Sequence, residues 1–247
     1  MDDYDGVPDT LYIPLAARIY STEVFPEYFK DDISKEFKGH IPQSIVDNSS
    51  EYSILASVAR YYNTDSMEID FSRRNGNCSI VHLGAGLETA YSRLRFMNAH
   101  FYDMDLPDVI ALRWRLLPQM ENETLIAGDL FDMGWTKEIP KDLPIMILAL
   151  GVFQYFHEDR IFEVIDKMKR IFPGAELIFD ATNTGGLRYA NKYVKKTGNE
   201  SATMYFAVDD AKDFARRSGT ELLECRSFFT DAEGSSGERP LCIRAYP

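Results

Sequence analysis

Cysteine is scarce in this chain of 247 residues: Cys78, Cys225 and Cys242 are scattered and odd in number. They form neither a paired disulfide framework nor the spacing of a metal site. Isolated thiols of this kind fit a reducing compartment, the cytoplasm. Long apolar runs are missing as well. No stretch approaches the roughly 18–20 residues that span a membrane. The opening Met1-Asp2-Asp3-Tyr4-Asp5 is acidic and lacks the apolar segment of a secretory signal. Positive charge is sparse: Lys and Arg number 27 against 39 Asp and Glu, a formal net charge of −12. Basic residues cluster no further than Arg73-Arg74, Lys195-Lys196 and Arg216-Arg217. Polyanions are met by clustered cations, so neither nucleic acid nor a membrane is an expected partner. The acidity fits solubility or, alternatively, a field that favours a cationic ligand. Internal repeats and low-complexity tracts are also absent.

Hydrophobic residues make up 45% and charged residues 27%, ordinary for a globular chain, and the length suits one large α/β domain with or without a cap. The chain is organised around Ile80-Val81-His82-Leu83-Gly84-Ala85-Gly86-Leu87-Glu88-Thr89. A short apolar run ends in Gly-Ala-Gly and a helix-compatible segment follows, the pattern of a first strand turning tightly into a helix around a nucleotide-like ligand. Gly84 is free to take angles a side chain forbids. Gly86 lets the backbone approach a ligand closely. The following helix, read as Leu87 to Asn98, would point its free N–H groups at that ligand. The full dinucleotide fingerprint is G-x-G-x-x-G, and here Thr89 stands at the last glycine.

Upstream, residues 7–64 read as helical with breaks. Thr10 is placed to cap a helix through Tyr20, with Pro14 in its first turn. From Asp47 the pattern is strongly helical, with Ile54, Leu55, Val58 and Tyr62 on one face. A separate helix is expected over 65–72, then a polar loop from Arg73 to Asn77. Downstream, strands are expected at Cys78–Leu83, His100–Asp105, Thr124–Ala127, Ile145–Leu150 and Glu176–Ala181. Helical segments lie between them, from Pro107 to near Pro118 and from Glu158 to Phe172. A glycine-rich turn at Thr184-Gly185-Gly186, a basic helix, a helix capped by Asp209 or Asp210, and two closing strands near Glu221–Phe229 and Leu241–Tyr246 complete the chain. The loop Asp231 to Gly237 is flexible in composition. Alternating strands and helices argue for right-handed βαβ units in an open sheet covered on both faces.

Ligands of such sheets lie at the carboxyl ends of the strands. Asp105 ends the second strand 21 positions after Gly84, where an acid commonly holds a ribose hydroxyl pair; its other reading is a cap for the next helix. Asp103 shares its facing. Asp129 ends the third strand, where a carboxylate can accept from the exocyclic amine of a purine while Leu130 packs on the ring; alternatively it is an ordinary turn acid. A dinucleotide needs its pyrophosphate tight against the first helix, and the third glycine serves that. A nucleoside without phosphates has no such need. The Gly-x-Gly turn with the two strand-end acids therefore suits S-adenosylmethionine better than NAD.

The blocks Val81-His82-Leu83-Gly84-Ala85-Gly86-Leu87-Glu88-Thr89, Tyr102-Asp103-Met104-Asp105-Leu106-Pro107-Asp108-Val109 and Gly128-Asp129-Leu130 resemble the leucine carboxyl methyltransferase superfamily. The likeness is closer to its bacterial branch, the O-methyltransferases of polyketide biosynthesis. It extends to Ser49-Ser50-Glu51-Tyr52 through Asp65 and to Val7-Pro8-Asp9-Thr10 through Arg18. The resemblance implies a Rossmann-like class I methyltransferase fold: a mostly parallel seven-stranded sheet with helices on both faces. It would comprise an N-terminal helical cap over residues 1–76 and a core over 77–247, packed as one unit. It implies S-adenosylmethionine as cofactor, with Arg60 on the methionine carboxylate, Gly84 and Gly86 beside the methionine, Asp105 on the ribose, and Asp129 and Leu130 at the adenine. A bidentate guanidinium suits a carboxylate. Arg18 is placed near the same pocket or on the surface. The eukaryotic branch carries a glutamate where this chain has Leu150, so its protein substrate does not transfer.

Methyl transfer from a sulfonium asks the protein mainly for alignment and desolvation. A carboxylate acceptor needs no base, whereas a hydroxyl needs one or a low pKa of its own. His157 is a candidate base, or a polar residue opening a helix. Tyr155, a second catalytic candidate, and Gln154 are expected to line the pocket, and His82 is expected to be structural. The acceptor is read as a small metabolite bearing a hydroxyl or carboxylate. Two alternatives stand: a protein that binds S-adenosylmethionine without turnover, and an NAD(P)-dependent oxidoreductase.

Overall fold

The computed structural model of the chain describes residues 11–43, 50–197, 203–229 and 241–246. Thr10 with the block before it, Asp47, and the loop Asp231 to Gly237 lie outside them. The first helix, α1, runs Tyr12–Val24, four residues beyond the expected end at Tyr20. Ser21 and Thr22 stay helical because their hydroxyls are satisfied: Thr22 Oγ1 donates to Arg18 O at 2.7 Å and Ser21 Oγ to Phe29 O at 3.0 Å. Pro26 then bars helical angles at Phe25. A short α2, Asp32–Glu36, is capped by the Asp31 carboxylate, which accepts from the Ser34 N–H.

The expected pair of helices with a polar loop after them is one helix, α3, of 25 residues, Glu51–Asn75. Ser50 caps it and Gly76, at φ +70°, ends it. Asn63 and Thr64 would weaken a solvent-exposed helix, but both are buried with their side chains paired. Asn63 Nδ2 donates to Ala59 O and Phe228 O, and Thr64 Oγ1 to Arg60 O. Arg73 and Arg74 form its last turn, where cations oppose the helix dipole. The buried face also differs from the expected one. Leu55 and Tyr62 are exposed, while Val58 and Tyr61 pack on α1 residue Ala17 and Ala59, Met67 and Phe71 pack toward the sheet. A helix gripped from two sides buries more than one stripe, so a single-face reading misplaces it.

Seven strands form one sheet: β1 Cys78–Leu83, β2 Ala99–Asp105, β3 Glu123–Ala127, β4 Ile145–Ala149, β5 Glu176–Ala181, β6 Glu221–Ser227 and β7 Leu241–Tyr246. Their order is β3-β2-β1-β4-β5-β7-β6, with β1 to β5 parallel and β7 antiparallel to both neighbours. This is the open, mostly parallel sheet expected of the pattern. β1, β4 and β5 are buried along their whole length, as strands covered on both faces must be. The order reverses between β1 and β4, and there the crevice at the carboxyl ends opens.

Helices α5 Pro107–Leu116 and α6 Glu158–Ile171 fall where expected. The helix after β1 does not: only Ala90–Arg93, α4, is helical. The Glu88 carboxylate accepts from the Thr89 N–H at 2.7 Å, and buried arginines hold Glu88 and Thr89 in place, so the helix starts late and its free N–H groups do not reach the turn. The expected glycine turn at 184–186 is instead the start of helix α7, Thr184–Thr197. Asn183 Oδ1 and Asp209 Oδ1 accept its Gly186 and Thr184 N–H groups. The last helix, α8 Ala211–Ser218, is capped by Asp210, which accepts from Lys212 and Asp213 N–H. Among the described residues no helix is long and apolar enough to cross a membrane.

Candidate active site

A cavity of about 380 Å³ opens at the carboxyl ends of β1 and β4, between the sheet and the N-terminal helices. That is the size of a small-ligand pocket. Its floor is the turn after β1. Gly84 and Gly86 stand at φ +66° and +53°, the left-handed region that costs other residues energy. A Cβ on Gly84 would strike the Val152 side chain, and one on Gly86 would lie 2.9 Å from Leu11 Cδ2. Gly84 is thus required by both backbone angle and space, and Gly86 by its backbone angle.

Two buried charge networks hold this turn. On one side Arg113, from α5, is fully buried and donates to Gly86 O at 2.9 Å and Glu88 O at 3.0 Å. Its other nitrogen pairs with Asp103 and, at 2.7 Å, with Glu123. Asp103 in turn holds His82 Nδ1 at 2.6 Å, and His82 Nε2 lies 3.6 Å from Glu68. On the other side Arg18 donates to Leu87 O, to Glu88 Oε1 at 3.3 Å and to Thr89 Oγ1 at 3.3 Å. Arg93 joins Glu88 at 2.7 Å and Asp65 at 2.8 Å.

The charge states follow. Burial alone would raise the Glu88 carboxyl, but Arg93 and Arg18 hold it well below the usual carboxylate range. Burial pushes Glu68 up to about 7 against the opposing pull of His82. Burial would lower His82, yet Asp103 and Glu68 on its two sides carry it well above its ordinary value. Burial raises Asp105, opposed by hydrogen bonds from the Gly86 and Leu106 amides.

Of the residues singled out from the sequence, Arg18, Arg60, Gly84, Gly86, Gln154 and Tyr155 line the cavity. Arg60 comes from the middle of α3, where Nη1 pairs with Asp180 at 2.8 Å and Nε is buried without a hydrogen-bond partner. Asp105 does not line the cavity but sits one bond behind it. Its carboxylate accepts from Gly86 N–H and Leu106 N–H, both at 2.7 Å. Asp129 is exposed and caps the Phe131 N–H at 2.7 Å, while Leu130 is buried in the main core; neither lines the cavity. His157 is exposed at the start of α6 with its ring 4.4 Å from that of Tyr205, also outside the cavity lining. His82 is structural by its ion pairs, and it also lines the cavity floor.

The sequence reading passed over Arg113, Arg93, Asp180 and Met204. Arg113 was detectable: it follows Val109, Ile110 and Leu112 on the apolar face of its helix, where an arginine is either misplaced or paired. Asp180 was detectable as the one charge at the carboxyl end of an otherwise apolar stretch, Leu177-Ile178-Phe179. Met204 gives no local signal. Its backbone is fixed by Asn191, whose side chain bonds both Met204 N at 2.9 Å and O at 2.7 Å.

The family model described as leucine carboxyl methyltransferase matches residues 22–169, which carry the turn, Arg60, Asp105 and every member of the two charge networks except Arg18. The chain belongs to the leucine carboxyl methyltransferase family. A relative from Streptomyces glaucescens, the tetracenomycin polyketide synthesis O-methyltransferase TcmP, is 27% identical over 139 residues, 56% of this chain. The chain spans about half the length of that relative, 51%. Among solved structures, a candidate methyltransferase from Thermobifida fusca superposes with a TM-score of 0.63 at 16% identity over 93% of each chain. A DUF574 family protein from Streptomyces avermitilis gives 0.61 at 14% identity, over 94% of this chain and 96% of its own. This family member therefore has the methyltransferase fold expected of its sequence.

Proposed function

We propose that the protein is an S-adenosylmethionine-dependent O-methyltransferase acting on a hydroxyl or carboxylate of a small metabolite. The observation that carries this reading is the cavity at the carboxyl ends of β1 and β4, floored by the Gly84–Gly86 turn and walled by the partly buried Arg60. The residues present fit the cofactor. Gly84 and Gly86 give the turn the left-handed angles that hold its backbone at the cavity floor, and Arg60 carries a buried guanidinium nitrogen with no hydrogen-bond partner in the protein. S-adenosylmethionine, when bound, supplies a methyl already activated on a sulfonium.

Arg60 would pair with the methionine carboxylate, the role the family resemblance implies. Asp105 fixes the turn through the Gly86 amide, and each of its oxygens keeps a further acceptor site for a ribose hydroxyl. Asp129 and Leu130 stand beyond it at the end of β3, on the side assigned to the adenine. Residues 1–76 act as the cap over the 77–247 core. Leu11, Ile13 and Pro14 from the cap line the cavity together with Leu150, Tyr155 and Met204, apolar surface that would exclude water from the transferring methyl. An oxygen acceptor is favoured by the kinship with TcmP.

Calorimetric titration of the protein with S-adenosylhomocysteine, NAD and NADP tests the reading, repeated on Asp105→Ala. Micromolar binding of the homocysteine product, weakened in the variant, supports it and justifies screening acceptors by methyl mass gain. Preference for a nicotinamide cofactor sinks it and returns the chain to hydride transfer.

A further inference from the structure

Asp180 is the penultimate residue of β5 and is 5% exposed. A buried carboxylate is costly unless its partners are fixed and well placed. Asp180 has two such partners, each on the cavity wall. Oδ2 accepts from Arg60 Nη1 at 2.8 Å and Oδ1 from Gly151 N–H at 2.7 Å. Gly151 begins the turn after β4 at φ +70°, and a Cβ there would sit 3.5 Å from Arg60 Nη1. One side chain thus joins α3, the β4 turn and β5 behind the cavity, without lining it. The Tyr61 ring, 5.4 Å from the Arg60 guanidinium carbon, closes another side.

We infer that Asp180 is a positioning residue for donor binding: it aims the Arg60 guanidinium at the ligand carboxylate and locks the Gly151 backbone beside it. The inference rests on the cofactor reading above. An arginine side chain has several rotatable bonds, and the entropy of fixing it must be met before it contributes to binding. Asp180 fixes it in advance. It also sets the wall where Leu150 and Gly151 meet the ligand, so its loss should be felt by the amino-acid end of the ligand and not by the nucleoside end.

The test compares two probes, S-adenosylhomocysteine and 5′-methylthioadenosine, which share the nucleoside thioether and differ in the amino-acid portion. Dissociation constants are measured by calorimetry for wild type, Asp180→Asn, Arg60→Gln and the double variant. Asp180→Asn is expected to weaken S-adenosylhomocysteine about tenfold or more, the scale of a charge-assisted hydrogen bond. It should leave 5′-methylthioadenosine within about threefold, the limit set by indirect effects on a distant contact. In the Arg60→Gln background it should add nothing further to the preference. Equal weakening of both probes, an unchanged preference, or tighter binding of S-adenosylhomocysteine overturns the inference. Should Asp180→Asn fail to fold, Asp180→Glu displaces the charge by one methylene and must still lower the preference; an unchanged preference there overturns it equally. If wild type binds neither probe, or Arg60→Gln leaves the preference intact, the cofactor reading itself fails. If Arg60→Gln abolishes the preference and Asp180→Asn does not, only the role of Asp180 fails.

Discussion

The guanidinium of Arg113, buried in α5, donates to the carbonyl oxygen of Gly86 at 2.9 Å. A residue 27 positions along the chain thereby holds the β1 turn from behind, while its other terminal nitrogen answers Asp103 and Glu123. Arg113→Met keeps much of the aliphatic stem and removes the guanidinium, leaving Glu123 without its cation and Asp103 with His82 alone. Breaking a buried network in this way costs about 3–5 kcal/mol. Urea denaturation should show a loss of that size. A loss below about 1 kcal/mol would mean the network is dispensable.

Gly84→Ala places a Cβ at φ +66° against Val152. The backbone conformation alone costs about 1–2 kcal/mol, and the contact adds to it. Stability should fall by about 2 kcal/mol or more, and affinity for S-adenosylhomocysteine should fall in the variant that still folds. Thermal melts with and without the ligand separate the two effects, because a site that no longer binds gives no ligand-induced rise in Tm.

Glu68 and His82 make stability depend on pH. Glu68 is raised to about 7, so the native protein keeps a proton that the unfolded chain has released above about 4.5. Stability is then lost as pH rises through that window, by at most about 3 kcal/mol. His82, raised well above its ordinary value, acts in the same direction: its share is complete below the unfolded value and is lost as pH climbs through the folded one. Glu88 works oppositely: its share is complete above about 4.5 and is lost as pH falls below that value. Tm should therefore fall from about pH 6 to about pH 8, and Glu68→Gln, which mimics the protonated form, should flatten that fall. A Tm that rises over the range contradicts the assignment.

His157 is exposed and stands outside the cavity lining. His157→Ala should leave kcat/KM within about threefold once an acceptor is known, because a general base contributes about 10²–10⁴ and an exposed ring far less. A hundredfold loss would make it the base after all. The pH profile of the variant, compared with wild type, reads the same question independently.

The strands were legible because buried parallel strands are written as short apolar runs between turn residues. The glycine turn was legible because Gly84 and Gly86 carry conformations other residues avoid. The long α3 was not, since Asn63 and Thr64 look like an interruption until Ala59, Arg60 and Phe228 are seen to answer their side chains. The helix after β1 was over-read for the converse reason. The Gly86 N–H is taken by Asp105, and Glu88, which takes the Thr89 N–H, is held in that pose by Arg18 and Arg93, groups that only tertiary packing brings near. At the site, Arg60 and the lone charge of Asp180 at a strand's carboxyl end are each visible, but their pairing is not. The two lie 120 positions apart, and no local pattern joins them.

The 25-residue helix Glu51–Asn75 has a further consequence. At about 1.5 Å per residue it is a rod of roughly 37 Å, with Arg60 near its first third and Glu68 about two turns later. The same rod touches α1 and the sheet, so no joint separates roof from floor along it. Any widening of the mouth must come from the α1 side, where Leu11, Ile13 and Pro14 stand. That stretch is itself tied to the β1 turn, by Leu11 packed on Gly86 and by Arg18 bonded to Leu87 and Glu88, so roof and floor are built as one piece and a change at the rim is felt in the turn.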